Sequence, residues 1–321
     1  MVYLPAVFVI SIKGSDPMKI CFIGACGHSR QAYTYLLTRT DVQIVGYAPG
    51  SDHETKVPVF AQQLPFYEDY RVMLDQLQPD YAVVSPVFGL TASVIMECAQ
   101  RKIHVFSEKP VATTLADLEA VEKAVQESGI RFCAMHYLRY DPAFFEGAKL
   151  VRSGAIGDVK MVTAQKSYKY GTRPAWYADA DLYGGTIPWV GIHAIDWMYA
   201  FTGKRFLSVT TQTVGENPEM AALCQFALED GVIGSMNLDF YRPKGAATHG
   251  DDRIRCVGTK GVLEVSGGKI TLITEAETVV TEPKDAPELL QLFLDEAGTI
   301  SPEEIFYLTR VALTAKTGGD L

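Results

Sequence analysis

Between residues 19 and 136 the chain alternates short β-branched or apolar runs with longer stretches whose apolar positions recur every three or four residues. That alternation predicts βαβ units closing into a parallel sheet. Strands are expected at residues 19–23, 43–47, 81–85, 104–107 and 131–136, and helices at 30–39, 91–101 and 116–128. In the last helix Leu118, Val121 and Val125 share one face. Residues 18–137 thus carry the pattern of a doubly wound nucleotide-binding domain.

Beyond Tyr137 the texture changes. Glu229-Asp230-Gly231 separates the runs 222–228 and 232–241, and Gly267-Gly268 separates 262–265 from 269–274. Both are hairpin signals. With further strands at 160–170 and 205–213, residues 138–321 are expected to form an α+β domain on a large, mostly antiparallel sheet, one face of which needs cover. Ser301-Pro302-Glu303-Glu304 combines an N-cap, a first-turn proline and a capping-box glutamate, and predicts a helix to about residue 316. Residues 1–17, ahead of the strand that opens at Met18, read as an extension.

A length of 321 residues suits two domains. The net charge of −9 and the absence of any basic block exclude a nucleic-acid binder, which needs clustered cations to neutralise phosphates. The apolar run at residues 3–12 is too short to span a bilayer and lacks the flanks of a signal peptide, so a cytoplasmic protein without membrane attachment is expected. Six cysteines, dispersed and without Cys-x-x-Cys spacing, are expected as reduced thiols. No histidine spacing suggests a metal site, no Gly-x-Ser-x-Gly elbow appears, and His249-Gly250-Asp251-Asp252 reads as a polar turn.

Three segments carry candidate chemistry. Ile23-Gly24-Ala25-Cys26-Gly27-His28-Ser29 ends a strand and opens a helix, where backbone N–H groups and the helix dipole can receive a pyrophosphate. In the G-x-G-x-x-G register Cys26 and Ser29 replace two glycines. The place for a ribose-binding acid reads Tyr47-Ala48-Pro49-Gly50-Ser51, with neither carboxylate nor arginine, so NAD and NADP stay open. Ser51, His53 and Lys56 either meet a 2′-phosphate or form a solvated loop. Ser107-Glu108-Lys109-Pro110 leaves a buried strand at the sheet's carboxyl edge, where open α/β sheets bind ligands. Finally, His193 follows Gly184, Gly185 and Gly191, which permit close backbone approach to a ligand.

Together these segments resemble the glucose–fructose oxidoreductase/inositol dehydrogenase (Gfo/Idh/MocA) family, over nearly everything from Met18 to Gly318. The resemblance implies an NAD(P)-dependent oxidoreductase acting on a hydroxyl or carbonyl of a sugar, cyclitol or related polyol. It implies that Lys109 reaches substrate and nicotinamide, and that His193 carries the proton. Those types suit the task, since an imidazole can accept a hydroxyl proton and an ammonium can stabilise alkoxide charge. Cofactor contacts are implied at Gly24, Cys26, Gly27, His28, Ser29, Ser51, Ser85, Pro86, Glu108 and Lys109. Ser85-Pro86-Val87 stands in for the family's Thr/Ser-Pro-Asn turn, with Val87 replacing its polar residue. Substrate contacts are implied at Lys166, Arg173, Trp176, Tyr177, Trp189 and His193, Arg173 being suited to a carboxylate or hydroxyls. A homodimer or homotetramer on the open sheet face is implied as well.

Several positions leave alternatives open. Where the family commonly has aspartate four residues before the histidine, this chain has Trp189, which either stacks on a sugar or nicotinamide face or fills the core. Asp196 orients the His193 ring or, more simply, pairs locally. Tyr168 and Tyr170 fit a pocket wall and an oligomer interface equally. The same fold also allows an NAD-assisted glycosidase or a non-catalytic nucleotide- or sugar-sensing protein. Retention of both Lys109 and His193 favours turnover, whereas loss of the acid at position 189 favours the sensor.

Overall fold

The computed structural model describes residues 16–54 and 56–321, so nearly all of the expected N-terminal extension lies outside the described residues. The first layer system contains β1 (Met18–Ile23), β2 (Val42–Ala48), β3 (Tyr81–Val84), β4 (His104–Ser107) and β5 (Phe132–Ala134), a parallel sheet in the order β2-β1-β3-β4-β5. All four residues of β3 are buried, as befits a parallel strand covered on both faces. The crossovers carry α1 (Ser29–Leu36), α2 (Tyr70–Leu77), α3 (Thr91–Gln100) and α4 (Leu115–Ser128). Helix α4 begins where Thr114 Oγ1 accepts the Asp117 N–H at 3.1 Å and stops at Gly129, whose φ of 67° is left-handed.

Strand order reverses between β1 and β3, and ligands bind open sheets at such a switch point. The loops after these two strands touch: the Cys26 N–H donates to the Ser85 carbonyl at 2.8 Å. A Cβ on Gly24, which has φ +75°, would stand 2.4 Å from that carbonyl, so the turn requires glycine.

The second part adds α5 (Pro142–Arg152), β6 (Val159–Tyr168), α6 (Ala180–Tyr183), α7 (Ile192–Thr202), β7 (Phe206–Val214), β8 (Ala221–Leu228), β9 (Ile233–Asp239), β10 (Gly250–Gly258), β11 (Gly261–Ser266), β12 (Lys269–Thr274), β13 (Thr278–Thr281), α8 (Leu289–Leu294), α9 (Pro302–Ala315) and β14 (Gly319–Asp320). Its nine strands run in the order β13-β12-β11-β10-β6-β9-β8-β7-β14, every pair antiparallel except β6 with β9. Both expected hairpins form, and Ser301 caps α9 by accepting the Glu304 N–H at 3.2 Å. In β8, Ala222, Cys224, Phe226 and Leu228 face inward. Helices α5 and α7 cover that inner face, with Trp197 stacked on Phe144 at 4.0 Å. Leu223, Ile233 and Ile273 are left exposed on the opposite face. Among the described residues no helix is long and apolar enough to cross a membrane.

Two features depart from the expected pattern. Residues 250–252 are not a turn but the start of β10, whose charged side chains pair on the sheet: Arg253 with Asp251 at 2.8 Å and Arg255 with Glu264 at 2.8 Å. Only Ile254 and Cys256 face inward there, too few to announce a strand. The C-terminal helices, in turn, return to the first sheet. Phe293 of α8 stacks on Phe106 at 5.6 Å and meets Tyr81 edge-on, while Phe306 of α9 stacks on Phe132 at 5.3 Å.

Candidate active site

A cavity of about 310 Å³ opens between the two sheets. It is lined by Gly27 and His28 before α1, Lys109 after β4, Tyr168 at the end of β6, Arg173 and Tyr177, Trp189, Val190 and His193 at the entry to α7, and His249 before β10. The floor is a charged set on the first sheet. Glu108 is fully buried; its carboxylate accepts the His28 N–H at 2.5 Å and lies 3.0 Å from His28 Nδ1. Burial alone would raise this carboxyl, but His28 and Lys109 outweigh it and hold it below the ordinary carboxylate value.

Lys109 is likewise buried and donates from Nζ to the Trp189 carbonyl at 2.6 Å. Its Nζ also lies 3.4 Å from the centroid of the Trp189 ring. Burial pushes this ammonium down to about 7, opposed by Glu108 and assisted by Lys166. Phe88 stacks on the same indole at 3.9 Å. Two groups so close cannot share one face, so the indole is sandwiched. Trp189 therefore lines the cavity while offering no vacant face to a ligand.

His193 is presented by an irregular entry to α7. Residues Ile187–Gly191 form a π-turn, a geometry frequent at functional sites, and Pro188 removes one of the N–H groups an α-turn would use. The glycines of this segment approach protein, not open space: a Cβ on Gly184 would stand 2.3 Å from Thr113 Cγ2, and one on Gly191 3.0 Å from Met236 and Leu238. Their expected role of admitting a ligand is thus replaced by one of packing. His193 is 2 % exposed and its Nδ1 has no partner. Burial, then the charges of Lys109 and Lys166, hold the imidazole well below the usual histidine range. It is therefore neutral at pH 7 and able to accept a proton.

Asp196 turns away from that ring. Its Oδ1 accepts Arg139 Nε at 2.8 Å, its Oδ2 lies 3.1 Å from His136 Nδ1, and Arg139 continues to Glu304 at 2.6 Å. The role is structural, but its partners come from the segment after β5 and from α9 instead of the neighbouring turn. Lys166 sits behind the cavity wall, fully buried, bonded to Asp252 at 2.7 Å and to the Tyr168 hydroxyl at 2.5 Å. Burial lowers it to about 8 against the pull of Asp252. Tyr168 presents its ring to the cavity and stacks on His249 at 5.2 Å. Arg173 reaches in over Tyr177 and has no ion pair among the described residues. Trp176 is not in the lining; it packs edge-on against Phe88 at 5.0 Å.

The predicted cofactor residues gather at the switch point. Gly24, Cys26 and Gly27 form the turn, Ser85-Pro86 faces it, and the hydroxyls of Ser29, Ser51 and Ser85 are buried without partners. A cradle closed to any Cβ and three unsatisfied hydroxyls fit a large polar ligand such as a dinucleotide. His53 and Lys56 stay exposed.

The sequence comparison agrees with this geometry. Residues 18–136 match the model of an oxidoreductase family with an NAD-binding Rossmann fold, and residues 146–264 match the GFO/IDH/MocA C-terminal domain. The chain belongs to the Gfo/Idh/MocA family. Members are NAD(P)-dependent oxidoreductases, and residues 18–136 carry the family's NAD-binding Rossmann fold. A solved Thermotoga maritima protein, described as an oxidoreductase, is 39 % identical, with a TM-score of 0.87 over 93 % of this chain and 97 % of that one. A trans-1,2-dihydrobenzene-1,2-diol dehydrogenase of Xenopus tropicalis is 22 % identical over 252 residues, 77 % of this chain and 74 % of its own. A scyllo-inositol 2-dehydrogenase (NADP(+)) of Bacillus subtilis is 25 % identical over 156 residues, 48 % of this chain and 44 % of its own.

Within this Gfo/Idh/MocA member, His249 lines the cavity and Asp252 holds Lys166 behind it, neither expected from the sequence, where both lie in an apparent turn. A weak signal existed for the pair, since Asp252, Ile254 and Cys256 alternate with Arg253 and Arg255.

Proposed function

We propose that the protein oxidises a secondary hydroxyl, or reduces the matching carbonyl, of a sugar, cyclitol or related polyol. The observation carrying this reading is that Lys109, which follows β4 of the first sheet, and His193, on helix α7, line one polar cavity together with Arg173 and His249. In oxidation, neutral His193 accepts the hydroxyl proton and Lys109 holds the oxygen as charge develops on it. A nicotinamide dinucleotide held at the Gly24–Gly27 turn would supply the acceptor for the hydride of the carbinol carbon. Arg173 and the Tyr168–His249 pair then supply donors and an apolar ring surface for a hydroxylated substrate. Identifying the nucleotide that co-purifies, and screening sugars and polyols for nicotinamide absorbance changes, tests the proposal; no change with any of them, in protein that binds dinucleotide, would favour a sensor instead.

The roles of the two side chains predict a pH profile. Lys109 must be charged and titrates near 7, whereas His193 is already neutral well below its usual range. For oxidation, kcat/KM is therefore expected to fall as pH rises through about 7. A profile that rises through the same region would make neutral Lys109 the proton acceptor.

A second copy of the chain is the proposed cover for the open face of the nine-stranded sheet. Leu223, Ile233 and Ile273 are exposed there beside the Arg255–Glu264 pair, a mixed surface suited to a dimer interface. Light scattering at micromolar concentration should give a dimer or tetramer, and a monomer mass would remove the assignment. Six unpaired cysteines, five of them buried, suit a cytoplasmic location.

A further inference from the structure

The end of β2 lacks an acid, yet the fold supplies one from farther along. After β2 the chain bends at Gly50, which approaches the Ser85-Pro86 turn so closely that a Cβ would lie 2.3 Å from Pro86 Cβ. That bend returns Glu54 to the switch point. Its Oε2 accepts the Ala25 N–H at 3.2 Å and its Oε1 accepts the Val87 N–H at 3.3 Å. One N–H belongs to the loop after β1 and the other to the loop after β3. The carboxylate therefore bridges the two lips of the crevice, while its neighbours Asp52 and His53 remain exposed.

We propose that Glu54 binds the adenosine ribose and makes the protein selective for NAD(H) over NADP(H). The assignment rests on the dinucleotide site described above and adds the residue that discriminates. A carboxylate offers about four acceptor positions, of which the two N–H groups take two, leaving acceptors for the 2′- and 3′-hydroxyls of a ribose. The Ser51 and Ser85 hydroxyls, both buried and without partners, belong to the loop that carries Glu54 and to the loop after β3. A 2′-phosphate has no proton to donate to Glu54 and sets like charge against it in a partly buried place. The basic residues of this loop, His53 and Lys56, are exposed and not drawn in to compensate. Burial pushes the Glu54 carboxyl up to about 7, partly offset by the Val87 and Ala25 N–H groups, so the discrimination should itself depend on pH.

Fluorescence titration of the purified full chain with NADH and NADPH tests this without turnover. The wild type is expected to bind NADH at least ~10-fold more tightly at pH 8, the size of effect that one well-placed charge supplies. Glu54→Gln, which keeps the shape and removes the charge, should narrow that ratio by about fivefold or more, mainly by improving NADPH binding. Lowering the pH to 6 should narrow the wild-type ratio more than that of the variant, which reports the titration of the phosphate alone. NADPH bound as tightly as NADH by the wild type, or a ratio left unchanged by Glu54→Gln, overturns the assignment while leaving dinucleotide binding intact. Failure of both nucleotides to bind overturns the site itself. Should the variant not fold, the wild-type ratio at pH 8 decides.

Discussion

Replacing His193 by Asn should lower kcat by roughly 10²- to 10⁴-fold, the range for losing a positioned proton carrier. Lys109→Met should do the same by removing the buried ammonium that, alone among the described residues, faces both the cavity and the neighbouring imidazole. Neither side chain bonds the glycine turn: Lys109 Nζ is directed to Trp189, and His193 Nδ1 has no partner. Dinucleotide affinity should accordingly stay near that of the wild type, which separates loss of chemistry from loss of binding. The check is steady-state kinetics on an identified substrate beside nucleotide titration. Turnover near the wild-type rate in either variant removes that residue from the mechanism. Lys109→Met also empties one face of the Trp189 indole of its cation, so a change in tryptophan fluorescence should accompany it.

The second large effect concerns stability. Asp196 is fully buried and holds Arg139 and His136, which are nearly or wholly buried themselves. Asp196→Ala takes the carboxylate from His136 and leaves Arg139 with Glu304 alone, and removing one partner of a buried ion pair costs about 3–5 kcal/mol. Urea unfolding at pH 7 should show that loss as a shift in midpoint. Replacing Arg139 by Met in the same chain should restore much of it, because the stranded charge goes too. Burial by itself would raise the Asp196 carboxyl, but Arg139 and His136 outweigh burial and depress it. A depressed acid stabilises the fold above its unfolded pKa, and this contribution disappears as pH falls through the folded value. The wild type should thus lose stability on acidification faster than the double variant. A small shift for Asp196→Ala would mean that the cluster is far more hydrated than its burial indicates.

Much of the site was legible because its chemistry lies where strands end. Gly24, Lys109 and His193 stand beside glycines or proline at breaks in apolar runs, and those breaks are visible in one dimension. The proposed catalytic pair could be named, but its setting could not. Nothing in the order of residues shows that Phe88 and Lys109 would take both faces of Trp189, since each comes from a different loop. Glu54 escaped notice for a similar reason: a loop, not a strand register, carries it to the crevice. Asp196 reads as a residue on the face of His193, yet the buried helix α7 has partners on every side, so helical spacing alone does not choose among them. Strand β10 was hidden by its own arginines, whose charges are satisfied across the sheet and leave only two inward apolar residues as a signal.

The return of α8 and α9 to the first sheet also governs how the chain can be made. On a ribosome, Tyr81, Phe106 and Phe132 emerge long before Phe293 and Phe306, the residues that cover them. The nucleotide-binding domain must wait, with an aromatic face uncovered, until Phe293 and Phe306 of the 321 residues have been synthesised. Contacts this distant slow folding, and the exposed surface invites association during the delay. Burial of that aromatic face is therefore tied to arrival of the last helix, so that any shorter chain leaves part of the first sheet exposed.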